Sequence, residues 1–136
     1  MPIRFVNIHK SFGPKVVLKG VDFDVADGEC FFIIGASGVG KSVLIKHLIG
    51  ILRCDEGDIF LGDHEVSRLP EEKLAPVRKT CAMVFQNSTL FDSMTCAENV
   101  ALPLRKHKGM SMSDAVDDAR KRLERVQMEK YADAYP

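Results

Sequence analysis

The residues with the clearest chemical potential form a glycine-rich segment, 35–42, that reads Gly-Ala-Ser-Gly-Val-Gly-Lys-Ser. It is a full match to the phosphate-binding loop pattern, in which glycines let successive backbone N–H groups approach an anion. Lys41 is expected to contact the β- and γ-phosphates of a nucleotide, and the Ser42 hydroxyl is expected to ligate Mg²⁺. A helix beginning near Lys41 adds the positive end of its dipole. The segment therefore predicts a Mg-nucleotide site.

The elements on either side of the loop are those that must position it. Residues 30–34, Cys-Phe-Phe-Ile-Ile, include no polar side chain, which predicts a strand covered on both faces. From Val43 to Leu52 the apolar residues occupy most of a helical circumference, which predicts a helix buried on several sides. Strand, loop and buried helix follow in the order that a phosphate site requires.

Further elements precede and follow this unit. Alternating apolar and polar residues over 3–8 and 21–25 predict two strands, each with one wet face, separated by a turn at Gly13-Pro14. A second wholly apolar strand is predicted over 81–85. Farther on, Thr95-x-x-Glu98 is a capping box that opens a helix, which Pro103 is expected to kink or end.

Composition excludes several function classes. Lysine plus arginine and aspartate plus glutamate number 19 each, whereas a nucleic-acid binder usually carries a basic excess. No apolar run approaches the roughly 18 residues that a membrane span needs, so any membrane role is expected to depend on a partner. The sequence also has no Asp-x-x-Gly switch and no Asn-Lys-x-Asp guanine-reading motif. Among the classes of P-loop protein, the GTPases are therefore excluded.

Across essentially its whole length the chain resembles the ABC transporter ATPase family. The opening Ile-His-Lys-Ser-Phe-Gly, 8–13, is similar to the adenine-binding A-loop segment of that family, and the resemblance implies that Phe12 stacks on the adenine ring. Met-Val-Phe-Gln, 83–86, is similar to the Q-loop, which implies that Gln86 lies near Mg²⁺ and the attacking water. One departure is Val43, where many family members have threonine, so that only its backbone N–H remains to meet the α-phosphate.

Some segments narrow the resemblance. Residues 40–50, 90–95 and 98–104 resemble the Mla-type branch, which moves phospholipid in the bacterial envelope and is linked to organic-solvent tolerance. The methionine-importer branch shares much of this pattern and stays open as an alternative. A soluble ABC protein of translation or DNA repair, and a binding module that responds to nucleotide without hydrolysing it, are the rivals from other classes.

The resemblance places the hydrolytic residues later than this sequence reaches. The Leu-Ser-Gly-Gly signature, an apolar strand ending in Asp-Glu and a switch histidine are expected after Pro136, so we expect a truncated domain that does not hydrolyse ATP by itself. The resemblance implies an α/β P-loop core with an N-terminal antiparallel β segment and the start of a helical subdomain. One domain is expected over 1–136, with the β segment and P-loop core in 1–85 and the Q-loop and helical start in 86–136.

The resemblance also implies a set of ligands and partners. The cofactors are ATP and Mg²⁺; the partners are a membrane permease and, in the full-length protein, a second copy in a head-to-tail dimer. The expected location is the cytoplasmic face of the inner membrane. The candidate ATP-binding residues are Phe12, Gly35, Ala36, Ser37, Gly38, Val39, Gly40, Lys41, Ser42, Val43 and Gln86, with Ser42 and Gln86 also near the metal.

Overall fold

A computed structural model describes residues 1–86 and 89–136, which divide into two compact units, Met1–Met83 and Val84–Pro136. The first unit contains a four-stranded antiparallel sheet in the order β2-β1-β3-β4. Among the described residues no helix is both long and apolar enough to cross a bilayer. The strands and helices of this unit are β1 Ile3–Phe12, β2 Lys15–Val25, α1 Lys41–Leu48, β3 Glu56–Leu61, β4 His64–Glu65 and α2 Glu71–Arg78.

The two expected N-terminal strands form one long hairpin, β1–β2, with Gly13-Pro14 at its turn. The alternating pattern places one face of this hairpin against α1 and α2, because successive side chains of a strand point to opposite faces. The core on that face contains Phe5, Ile8 and Leu18 from the hairpin together with Leu44 of α1 and Leu74 of α2. This core fixes α1, and with it the preceding loop, against the sheet.

The predicted strand at Cys30–Ile34 is wrong for this structure, because these residues form no ladder with any strand in the part of the chain that the structure describes. Phe31 stacks on Phe23 of the sheet with ring centroids 4.9 Å apart, so one face of the segment is packed. The other face is open: Phe32 is 76% exposed and Ile34 is 92% exposed. An extended segment needs a partner edge for its backbone groups, and the described residues provide packing on one face only.

Two further expectations differ from the structure in the same way. The apolar run 81–85 is not a strand, and its Val84 is 96% exposed. Helix α1 is shorter than predicted and ends at Leu48, with only Leu44 and His47 fully buried and Ile45 exposed. The apolar surface that the sequence provides here is larger than the surface that the described residues cover.

The second unit is a helical pair, α3 Cys96–Lys108 and α4 Met112–Arg125. The Thr95–Glu98 capping box forms as predicted, with Glu98 N–H donating to Thr95 Oγ1 and Thr95 N–H donating to the Glu98 carboxylate. Pro103 lies inside α3 and does not end it. The helix continues because Ala101 and Leu104, on either side of the proline, are buried against Ala115 and Ala119 of α4, and this packing outweighs the lost backbone hydrogen bond.

Candidate functional site

The glycine-rich loop joins the extended segment to α1 in a conformation that needs glycine. Gly38 and Gly40 have φ of +78° and +109°, values that side chains with a Cβ rarely adopt. A Cβ on Gly40 would also lie 2.7 Å from Val17 Cγ1, so the end of the loop is packed directly on strand β2. Gly40 is the N-cap of α1, and its carbonyl accepts the first helical hydrogen bond, from Leu44 N–H at 2.9 Å.

Lys41, the first residue of α1, folds its side chain back over the loop. Its Nζ donates to the carbonyl oxygens of Gly35 at 2.7 Å and Ala36 at 2.6 Å. The ammonium group is therefore held on the loop by two neutral acceptors. An anion at this place would form stronger, charge-assisted hydrogen bonds with the same group.

The backbone of the loop fits a phosphate chain. Within the described part of the chain, none of the amides from Ala36 to Gly40 donates to a backbone oxygen, and the residues from Ala36 to Val39 are exposed. Ser42 is also exposed, in the first turn of α1. The loop thus offers phosphate oxygens three kinds of favourable partner: unpaired backbone amides, the N-terminus of a helix and a lysine ammonium. The Ser42 hydroxyl oxygen is a ligand that suits a hard cation.

The helix behind the loop is anchored through Val43, Leu44 and His47. Leu44 is 6% exposed and belongs to the sheet core, and Val43 packs against the same core. Because the Val43 side chain packs on the core, its backbone N–H is the group that it can offer to a ligand, and that role stays a prediction. His47 is 1% exposed, and its Nδ1 lies 2.5 Å from the Val43 carbonyl oxygen.

Burial lowers the pKa of His47 from its ordinary value of 6.5, against the opposing effect of its hydrogen bond with the Val43 carbonyl. Because the unfolded chain then binds the proton more readily, the free energy of unfolding should fall as pH drops below about 6.5. The charged side chains that act on His47 are Lys10 and Asp55. We expect the urea midpoint to decrease between pH 7.5 and pH 5.5, and we expect a smaller decrease in His47→Asn. An equal decrease in both proteins would contradict this assignment.

Phe12 is the last residue of β1, at the end of the hairpin that borders the loop. Phe12 is 45% exposed, so part of its surface is open to solvent. Ser11 pairs with Val16, and Val17 contacts Gly40, so the hairpin register brings this end of the sheet to the loop. The stacking of Phe12 on a base bound at the loop stays a prediction.

Two residues beside Phe12 were not predicted to belong to the site. Lys10 Nζ donates to the Asp55 carboxylate at 2.6 Å and lies 5.5 Å from the centroid of the Phe12 ring. No sequence motif assigns a role to Asp55, and Lys10 has none beyond its place in the segment 8–13. No spacing rule could find this pair, because the two residues are 45 positions apart.

Gln86 lies in the second unit, at a bend, and is exposed. Mg²⁺ and the attacking water, its predicted neighbours, are expected at the glycine-rich loop, which belongs to the first unit. The role of Gln86 therefore stays a prediction.

Comparison with known proteins begins with a family model described as ABC transporter, which matches residues 18–135. The chain is 39% identical over 134 residues to the methionine import ATP-binding protein MetN of Rhizobium johnstonii, an alignment that covers 98% of this chain and 37% of that protein. It is 40% identical over 102 residues to MetN of Clostridioides difficile, covering 75% of this chain and 32% of that protein. The chain thus spans about a third of the length of these curated relatives.

Solved structures are similar over the same range. A dimeric bacterial ABC transporter cassette superposes with a TM-score of 0.87 at 29% identity, covering 98% of this chain and 61% of the cassette. A dimeric cassette in a post-hydrolysis state, bound to ADP and Pi, superposes with a TM-score of 0.83 at 28% identity, with the same coverage. The predicted fold class is therefore confirmed: an ABC ATPase fold with an N-terminal antiparallel sheet followed by helices.

The names of the relatives bear on the choice between the Mla-type and methionine-importer branches. Those reported above are named for methionine import, the alternative that the sequence left open. Their names give no support to phospholipid transport, so the Mla-type assignment depends on the sequence segments alone.

Proposed function

This chain belongs to the ABC transporter family, and we propose that it binds Mg-ATP as part of the ATP-binding subunit of a membrane transporter. The observation that carries the proposal is the arrangement of Lys41. Its ammonium lies on a loop whose amides are unpaired within the described residues, and its two partners are carbonyl oxygens that a phosphate can replace. This arrangement suits a nucleotide phosphate tail.

Each part of the site has a proposed role. The amides of Gly35–Gly40 bind phosphate oxygens, and Val43 contributes its N–H to the α-phosphate. Lys41 leaves the loop carbonyls and binds the β- and γ-phosphates. Phe12 stacks on adenine, and Ser42 holds Mg²⁺, with Gln86 contributing to the metal and the water in the intact domain. Bound Mg²⁺ would neutralise phosphate charge, while the chain orients the nucleotide.

The Mg²⁺ role of Ser42 can be tested by titration calorimetry. We expect Mg²⁺ removal with EDTA to weaken ATP binding by roughly ten-fold, because a metal-bridged phosphate tail gains a hydroxyl ligand from Ser42. Ser42→Ala should show less dependence on Mg²⁺. Ser37→Ala removes another exposed hydroxyl of the same loop but keeps the backbone amide, so it should retain the Mg²⁺ dependence of the unmodified chain. Unchanged Mg²⁺ dependence in Ser42→Ala would rule out the hydroxyl as a ligand.

The partners and the location follow from the proposed role. A transporter ATPase acts on a membrane permease, and we propose that the full-length protein pairs with a second copy of itself at the cytoplasmic face of the membrane. The dimeric form of both similar cassettes supports the second copy.

The cargo is the least constrained part of the proposal. The names of the relatives favour methionine import, and the segments 40–50, 90–95 and 98–104 favour phospholipid transport. Deleting the full-length gene and measuring uptake of labelled methionine beside the phospholipid composition of the outer leaflet separates the two. Loss of methionine uptake with unchanged lipid supports import, and the reverse result supports the lipid branch.

A further inference from the structure

The end of the hairpin that contains Phe12 also contains an ion pair that the sequence motif 8–13 does not account for. Lys10 of β1 and Asp55, in the turn between α1 and β3, are joined by a hydrogen bond of 2.6 Å. The Lys10 side chain is only 16% exposed, which is low for a lysine and indicates a defined position rather than a mobile surface group.

Asp55 is itself fixed by the backbone of β1. Its carboxylate accepts a hydrogen bond from Ser11 N–H at 2.7 Å, and its own N–H donates to the His9 carbonyl at 2.9 Å. Hydrogen bonds from Lys10 and Ser11 lower the pKa of Asp55, so the carboxylate is charged at neutral pH. Two hydrogen bonds with the backbone of β1 thus hold Asp55 in place, and its carboxylate in turn positions the Lys10 ammonium.

The held ammonium lies over the Phe12 ring, 5.5 Å from its centroid, within the range of a cation–π interaction. The cation covers one face of the ring, and the ring remains 45% exposed. Because the ammonium occupies one face, a planar ligand that stacks on Phe12 would use the exposed part of the ring away from Lys10. A cation on one face also withdraws electron density from the ring, which favours stacking with an electron-rich heterocycle on the other.

We propose that Lys10 and Asp55 are positioning residues for base recognition: Asp55 holds Lys10, and Lys10 orients and polarises the Phe12 ring for a purine base. This inference rests on the proposed Mg-ATP site and deepens it. Lys10 acts through Phe12 rather than on the phosphates. Asp55 acts one step farther away, through Lys10.

The test compares Mg-ATP with Mg-tripolyphosphate, which has the phosphate tail and no base. Affinities are measured by titration calorimetry for the unmodified chain and for Lys10→Met, Asp55→Asn and Phe12→Ala. We expect Lys10→Met and Asp55→Asn to weaken Mg-ATP binding by about two- to five-fold and to leave tripolyphosphate binding within two-fold. In the Phe12→Ala background, Lys10→Met should have no further effect. With Phe12 present, Lys10→Arg keeps the cation and should bind Mg-ATP nearly as tightly as the unmodified chain.

A matched control is Arg4→Met. Arg4 also lies over a ring, 4.5 Å from the centroid of Phe60, on the same strand but eight residues away from Phe12. It should leave both affinities unchanged. Melting temperatures by circular dichroism identify any variant that fails to fold. If Lys10→Met does not fold, Asp55→Asn replaces it in the test, because asparagine keeps an acceptor for Ser11 N–H.

The outcomes separate the two levels of the proposal. Equal weakening of both ligands by Lys10→Met, or persistence of its effect without Phe12, would overturn the positioning role. Absence of Mg-ATP and tripolyphosphate binding by the folded, unmodified chain would instead overturn the nucleotide site itself. Binding of both ligands that ignores Lys10 and Asp55 leaves the nucleotide site standing and removes this inference alone.

Discussion

Replacing Lys41 with methionine is expected to weaken Mg-ATP binding by about ten- to one-hundred-fold. The Lys41 ammonium is the cation that lies on the loop, 2.7 and 2.6 Å from the Gly35 and Ala36 carbonyl oxygens. Charge-assisted hydrogen bonds contribute about 1.5–3 kcal/mol, and each 1.4 kcal/mol corresponds to a factor of about ten in affinity. Methionine preserves the length of the side chain and removes the charge. Equilibrium binding of a fluorescent ATP analogue measures the effect.

Lys46→Met is the matched control, because Lys46 lies on the same helix and loses the same charge without facing the loop acceptors. The melting temperatures of both variants should stay within about 2 °C of the unmodified chain, since surface hydrogen bonds to exposed carbonyls contribute little to stability. Equal loss of affinity in the two variants would indicate a general electrostatic effect and not a specific phosphate contact.

Gly57→Ala is expected to lower the free energy of unfolding by about 2–5 kcal/mol, the sum of a left-handed conformation and steric overlap. Gly57 has φ of +94°, and an added Cβ would lie 2.3 Å from the Asn7 carbonyl oxygen. This contact is with backbone, which cannot move aside as a side chain can. Gly57 lies opposite an irregularity of the β1–β3 ladder, where His9 pairs with Glu56 and Val6 pairs with Asp58. Urea denaturation followed by circular dichroism measures the loss.

Gly28→Ala provides the comparison for Gly57. Its φ is also positive, +76°, but no atom lies within 4 Å of an added Cβ. Only the conformational cost applies, so a loss of about 1–2 kcal/mol is expected. If the two variants are equally stable, the close approach between β1 and β3 does not contribute to the loss of stability in Gly57→Ala.

Local chemistry made part of this structure predictable. The Thr95–Glu98 capping box depends on residues three positions apart, and the structure contains both of its hydrogen bonds. The N-terminal hairpin follows from alternation and from the Gly13-Pro14 turn, which are also local signals. The glycine loop is defined by residue type and spacing within eight positions, so its conformational requirements were visible in the sequence.

Features that depend on distant contacts were not predictable in the same way. An apolar run such as 30–34 shows that a segment is suited to burial, but a strand forms only where a partner edge is present. The described residues provide Phe23 against Phe31 and leave Phe32 exposed, so the ladder does not form. The Lys10–Asp55 pair is a second example, since only the folded sheet brings its two members together.

The central claim is that the backbone amides of the loop bind a phosphate tail. Hydrogen–deuterium exchange of residues 35–43, with and without saturating Mg-ATP, tests it most directly. We predict slower exchange of these amides with Mg-ATP in the unmodified chain and clearly less slowing in Lys41→Met at the same nucleotide concentration, because this variant is expected to bind more weakly. Unchanged exchange of this segment under conditions where calorimetry registers bound Mg-ATP would contradict the account, because the nucleotide would then be bound elsewhere.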